Sequence, residues 1–147
     1  MERVMYADDD VDIQRAIENI LTREGYGVII AKDGVEALEV AKAQKPDLIV
    51  LDYFMPGLNG IEVCRALRKE EETKEIPILM VTAYPSEKEN SLTAGATDFI
   101  NKPVDKTDLL LRIKSVLKVR NIKNELQRMI AYLAELEKDK GGAAHEE

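Results

Sequence analysis

Short apolar runs alternate with longer segments of helical period five times along this chain, and that alternation leaves few folds open. Arg3–Ala7, Tyr26–Ala31, Asp47–Leu51, Ile76–Thr82 and Thr97–Ile100 read as strands. The second to fourth of these are nearly continuous in Val, Ile and Leu, the composition of strands covered on both faces. Between the runs, apolar residues recur at spacings of three and four. Ile13, Ile17, Ile20 and Leu21 mark a first helix that ends at Gly25, and Val35, Leu38 and Ala41 a second that ends before Lys45-Pro46. Ile61, Cys64 and Leu67 mark a third, and 86–94 is a weaker fourth that ends at Gly95. Parallel strands need a crossover, and a helix between successive strands supplies one. The chain is therefore α/β: a five-stranded, doubly wound parallel sheet, βα repeated five times, with helices on both faces.

The last helical segment does not stop where the others do. No Gly or Pro occurs from Val104 to Lys140. Thr107 to about Glu137 can form one extended C-terminal helix of roughly 30 residues, about 45 Å long. Its first half covers the sheet and its second half, from about Val119, projects. The chain divides into a domain over 1–120, a projecting helical extension over 121–138 and a disordered tail over 139–147, in which His145 has no assigned role. Val119, Ile122, Leu126, Met129, Leu133 and Leu136 follow spacings of 3, 4, 3, 4 and 3, a heptad seam. This coiled-coil pattern predicts a docking stalk or a homodimer through Val119–Leu136. In a parallel pair Lys118 and Lys123 repel, while Ile130 and Tyr132 widen the apolar face and permit an antiparallel or four-helix arrangement.

Charge narrows the partners. Twenty-eight acids against 21 bases give a net charge of −7 in 147 residues, which disfavours direct nucleic-acid or anionic-membrane binding. The apolar run Leu48–Leu51 ends at Asp52, far short of the roughly 20 residues a span needs, so no membrane insertion is expected. A single Cys, Cys64 on an apolar helix face, fits inert packing in a reducing cytoplasm.

Ligands of open α/β sheets sit at the carboxyl ends of the strands. There the chain carries Asp8-Asp9-Asp10, Asp52, Thr82-Ala83 and Asn101-Lys102-Pro103. Asp10 suits the N-cap of the first helix. Clustered carboxylates need a compensating cation, and an all-oxygen set suits Mg²⁺. Asp52 follows four branched apolar residues, where an unpaired carboxylate is costly. Beside a cation, a Lys and a hydroxyl, such a carboxylate can attack a phosphoryl group.

These pieces resemble the receiver domain of bacterial two-component response regulators. The resemblance rests on Asp8-Asp9, residues 51–60, Val81-Thr82-Ala83, Ala94-Gly95-Ala96 and Phe99-Ile100-Asn101-Lys102-Pro103, in the family's order and spacing over about 2–120. It implies a flavodoxin-like fold and a chemotaxis-regulator-like single-domain receiver. It also implies roles: Asp52 as phosphoacceptor, Asp9 as direct Mg²⁺ ligand, Asp8 as its water-mediated partner and the backbone carbonyl of Phe54 as a further ligand. Lys102 pairs with the phosphoryl group, Thr82 moves onto it, and Phe99 turns inward as the switch aromatic. Lys102-Pro103 is a place where the family often has a cis peptide. Phe54 and Tyr84 stand at two variable positions that modulate hydrolysis, and two aromatics there could shield the acyl phosphate.

The resemblance further implies a sensor histidine kinase or phosphotransfer protein upstream and a downstream protein target, in the cytoplasm. The chain is then not an enzyme beyond its own phosphorylation and slow dephosphorylation. A fragment of a larger regulator whose output domain is missing, and a phosphorylation-independent adaptor, remain open alternatives. A dehalogenase-type phosphohydrolase would carry a second carboxylate at position 54, where Phe54 stands.

Overall fold

The computed structural model describes residues 1–146, with the side chains of 1–140. Five strands alternate with five helices among these residues: β1 (Arg3–Ala7), α1 (Val11–Arg23), β2 (Gly27–Ala31), α2 (Gly34–Gln44), β3 (Leu48–Asp52), α3 (Gly60–Lys69), β4 (Ile78–Thr82), α4 (Pro85–Ala94), β5 (Asp98–Asn101) and α5 (Lys106–Glu146). All pairings are parallel, in the order β2-β1-β3-β4-β5. This is the doubly wound, flavodoxin-like sheet expected from the alternation.

Strand side chains alternate between two cores. Met5, Ile49, Leu51, Ile78 and Met80 face Ala37, Ala41, Val63, Cys64 and Leu67 of α2 and α3. Val4, Tyr6, Leu48, Val50, Leu79 and Val81 face Ile17, Leu21, Leu109, Ile113 and Leu117 of α1 and α5. Burying one such side chain fully contributes about 1.5–3 kcal/mol, so the two layers dominate the stability of the sheet.

The second strand is packed on both faces, Ile29 against one core and Val28 and Ile30 against the other, but β2 is an edge strand and its Gly27–Ile30 are half-buried. β1, less rich in branched residues, takes the interior place between β2 and β3. Apolar composition reports that helices lie over a strand, and it carries no information about lateral order.

Local chemistry sets the ends that matter. Asp10 caps α1, accepting the N–H groups of Asp12 at 2.9 Å and Ile13 at 3.2 Å. Asn59 and Glu62 form a reciprocal capping box at α3. A Cβ on Gly60 would lie 2.7 Å from the carbonyl oxygen of Asp52, so only glycine lets α3 start this close to the end of β3. The Lys102–Pro103 peptide is cis.

α5 starts one residue before Thr107 and runs on past Glu137 to Glu146. The expected tail over 139–147 falls largely on 141–147, whose side chains lie outside those described. Where α5 leaves the sheet it is pinned: Arg120 Nη1 lies 2.8 Å from Asp47 Oδ1 and Nη2 lies 3.1 Å from Glu2 Oε2. Lys123 reaches Glu75 at 3.2 Å. No helix of the described residues is long and apolar enough to cross a membrane.

Candidate functional site

The site forms where β1 and β3 lie side by side and their helices leave on opposite faces, the crevice that this topology opens to ligands. Ala7 is in register with Leu51, so Asp8 and Asp52 emerge together. The carboxylates of Asp8, Asp9 and Asp52 each offer an oxygen, all within 4.8 Å of one another. Asp9 is exposed, whereas Asp8 is 3% and Asp52 4% exposed.

Asp8 is held from below. Tyr6 donates its phenol to Asp8 Oδ2 at 2.8 Å, and the backbone N–H of Asp10 donates to Oδ1 at 3.0 Å. Burial and the neighbouring Asp8 carboxylate push the Tyr6 phenol well above its ordinary value, so it stays a donor. Sequence reasoning missed Tyr6, because an aromatic in an interior strand reads as core. Its spacing of two from Asp8, on the same strand face, was the available signal.

Asp52 ends β3 in register with Val81, and Thr82 ends β4 in register with Asn101. Lys102 follows, its backbone N–H donating to the Thr82 carbonyl at 2.8 Å. Lys102 Nζ sits 2.6 Å from Asp52 Oδ1. Asp52 Oδ1 and Thr82 Oγ1 are nonetheless buried without a well-directed hydrogen bond among the described residues. Burial, with the Asp8 charge beside it, pushes the Asp52 carboxyl up to about 6, against the pull of Lys102 and the Phe54 backbone N–H. An unpartnered hydroxyl on Thr82 beside three carboxylates and one ammonium makes an incomplete set of partners, with room in its chemistry for an anion and a hard cation.

The remaining expected residues lie around this cluster. Phe54 and Tyr84 are 59% and 62% exposed, Phe54 packed edge-on against Tyr53 with ring centroids 5.0 Å apart. Phe99 stands apart from the carboxylates. It pairs with Met80 on β4, and its ring lies between Lys88 Nζ at 5.0 Å and the Arg112 guanidinium at 5.6 Å. Arg112 is itself tied to Asp98 at 2.7 Å and Asp108 at 2.9 Å. Glu87 was also missed: it is buried and accepts the Ala83 N–H at 3.2 Å beside the Thr82 strand end. Cys64 is buried, and its thiol is pushed up by that burial, as inert packing requires.

Fold and site together define a receiver domain of two-component signalling, and the chain belongs to the response regulator receiver domain family, whose model matches residues 4–114. Over 118 residues it is 42% identical to the response regulator MprA of Mycobacterium leprae, covering 79% of this chain and 51% of that protein. The chain thus spans about half the length of the curated relatives it matches. Among solved structures, a CheY-like receiver domain protein from Methanospirillum hungatei superposes with a TM-score of 0.78 at 32% identity, covering 84% of this chain and 98% of that one. The chemotaxis response regulator CheY4 of Vibrio cholerae superposes with a TM-score of 0.74 at 34% identity, covering 79% and 98%.

Proposed function

We propose that Asp52 accepts a phosphoryl group from a phosphohistidine on a sensor kinase or phosphotransfer protein, and that the modified domain signals by a changed protein-contact surface. The observation that carries this reading is the buried Asp52 carboxylate, paired with Lys102 at 2.6 Å and offering an oxygen within 4.8 Å of the Asp8 and Asp9 oxygens. An Asp52 oxygen attacks phosphorus, the P–N bond breaks, and its electron pair stays on the donor imidazole. The product is an acyl phosphate on Asp52.

Asp8, Asp9, Asp52 and the Phe54 backbone carbonyl are the groups that would hold Mg²⁺, which supplies charge neutralisation for the transferring phosphoryl oxygens. Lys102 neutralises one phosphoryl oxygen, and the unpartnered Thr82 hydroxyl donates to another. Thr82 then draws on the β4–α4 loop, and Phe99 turns inward from between Lys88 and Arg112. The altered surface lies on α4, β5 and the start of α5, and a protein target in the cytoplasm reads it. Water later cleaves the acyl phosphate; beyond these steps the domain turns over no substrate.

Acetyl phosphate with Mg²⁺ tests the reading. Intact-mass spectrometry should find one phosphoryl group added, none in Asp52→Asn and little after chelation. Full addition to Asp52→Asn would overturn the assignment.

A further inference from the structure

We propose that the projecting part of α5 pairs with the same segment of a second copy of this chain in antiparallel orientation, with Val119 facing Leu136, Ile122 facing Leu133 and Leu126 facing Met129. The proposal is independent of the phosphoryl chemistry above.

The seam is free on the structure. Its six residues are exposed, from 38% at Leu136 to 66% at Val119, and Ile130 and Tyr132 beside them are 64% exposed. A helical stretch of this length is marginal in water without tertiary support. Receiver side chains grip α5 only as far as Arg120 and Lys123. An apolar stripe of six at alternating 3 and 4 spacing is what a facing helix covers.

Charge selects the occupant and its direction. In a parallel pair, Lys118 lies across from Lys123 of the second copy, twice by symmetry, and Lys140 falls on the seam opposite itself. The antiparallel register removes both clashes. It sets Lys118 across from Asp139, Glu125 across from Tyr132, Lys123 across from Ile130 and Glu137 across from Val116. Every seam residue then meets another, and no like charges face. A slip of one heptad sets Glu125 opposite Glu125 in one direction and opposite Asp139 in the other, and it leaves two seam residues of each chain unmatched. The chain is thus complementary to itself in one register.

The ends of the pairing reach the sheet domains. In this register the segment around Asp139 of one copy meets the foot of the other copy's α5. There a cleft of about 280 Å³ runs between Glu75, Pro77, Ser115, Val116 and Val119. The two domains therefore stand at opposite ends of the paired helices, each touched by the far end of its neighbour's helix.

Disulfide trapping in the full chain tests direction and register together, since the native Cys64 is buried. Val119→Cys and Leu136→Cys proteins are mixed and oxidised, with light scattering run alongside at tens of micromolar. We expect a dimer, with disulfides between the two variants and none within either variant alone. Lys118→Glu and Asp139→Lys should each weaken the dimer roughly fivefold, and the double swap should restore it. Self-linking of Val119→Cys would establish a parallel pair and overturn the proposal. Absence of any link in a dimer would overturn the register, and a monomer would overturn the proposal.

Discussion

Lys102 Nζ approaches Oδ1 of Asp52 to 2.6 Å, yet that oxygen lacks a well-directed hydrogen bond. The ammonium neutralises charge without saturating the lone pairs. The carboxylate is thereby held in place at the end of β3. Burial, with the Asp8 charge beside it, outweighs the pull of Lys102 and keeps the Asp52 carboxyl above its ordinary value.

The first prediction follows from that imbalance. The folded Asp52 carboxyl is raised from 3.8 to about 6, so the folded state holds the proton more tightly than the unfolded chain. The contribution to stability is full below about pH 4 and is lost as pH rises through 6. Asp52→Asn removes this loss. Without Mg²⁺ it should be more stable than the parent at pH 7.5, by up to about 3 kcal/mol, with the difference shrinking towards pH 4. Thermal melts across pH 4–8 check it, and a constant difference would contradict the buried-charge account.

Removing one repelling partner should act the same way. Asp9→Ala is expected to raise the melting temperature without metal and to abolish the Mg²⁺ response. In the parent, Mg²⁺ at ten times its Kd should add about 1.4 kcal/mol, a shift of a few degrees. Differential scanning calorimetry with and without Mg²⁺ reads both effects. An undiminished Mg²⁺ shift in Asp9→Ala would remove Asp9 from the ligand set.

Tyr6→Phe leaves the buried Oδ2 of Asp8 without its donor while preserving the ring. The expected loss is about 1–3 kcal/mol in urea unfolding. Adding Asp8→Asn should recover part of it, because the neutral amide demands less of its surroundings. Equal losses that simply add would show that the two side chains act independently.

On the proposed reading, Phe54 and Tyr84 are expected to set the lifetime of the phosphorylated form. Neither Phe54 nor the bulk of the Tyr84 ring orients a water as a carboxylate or amide would. Phe54→Asn with Tyr84→Glu should accelerate loss of radiolabel from Asp52 several-fold. Decay unchanged or slowed would refute shielding.

Much of this was legible in the sequence because burial on a pleated strand demands branched apolar runs. Leu48–Leu51 announced an interior strand, and a carboxylate at its end, Asp52, had no inexpensive structural explanation. Asp10 declared its capping role through its place before the apolar period. What stayed hidden was lateral. Val28, Ile29 and Ile30 look as interior as β3, yet β2 lies at the edge, since pairing order is decided by contacts between distant segments. Tyr6 and Glu87 were silent for a related reason: their polar atoms matter only through what folding sets against them. The geometry between Lys102 and Asp52, a side-chain angle across two strand ends, leaves no trace in spacing.

The grip of Arg120 on Asp47 and Glu2 gives α5 a fulcrum. One arm of the rod packs on the sheet through Leu109, Ile113 and Leu117, beginning just past the cis bond that follows Lys102. The other extends from the pivot for roughly 30 Å to Lys140. A rigid rod transmits rotation without loss, so a tilt of about 5° at the inner arm sweeps the outer tip by about 3 Å. That is a large fraction of a helical turn. A displacement too small to change the core would then suffice to bring side chains at the far end into or out of step with whatever lies beside them.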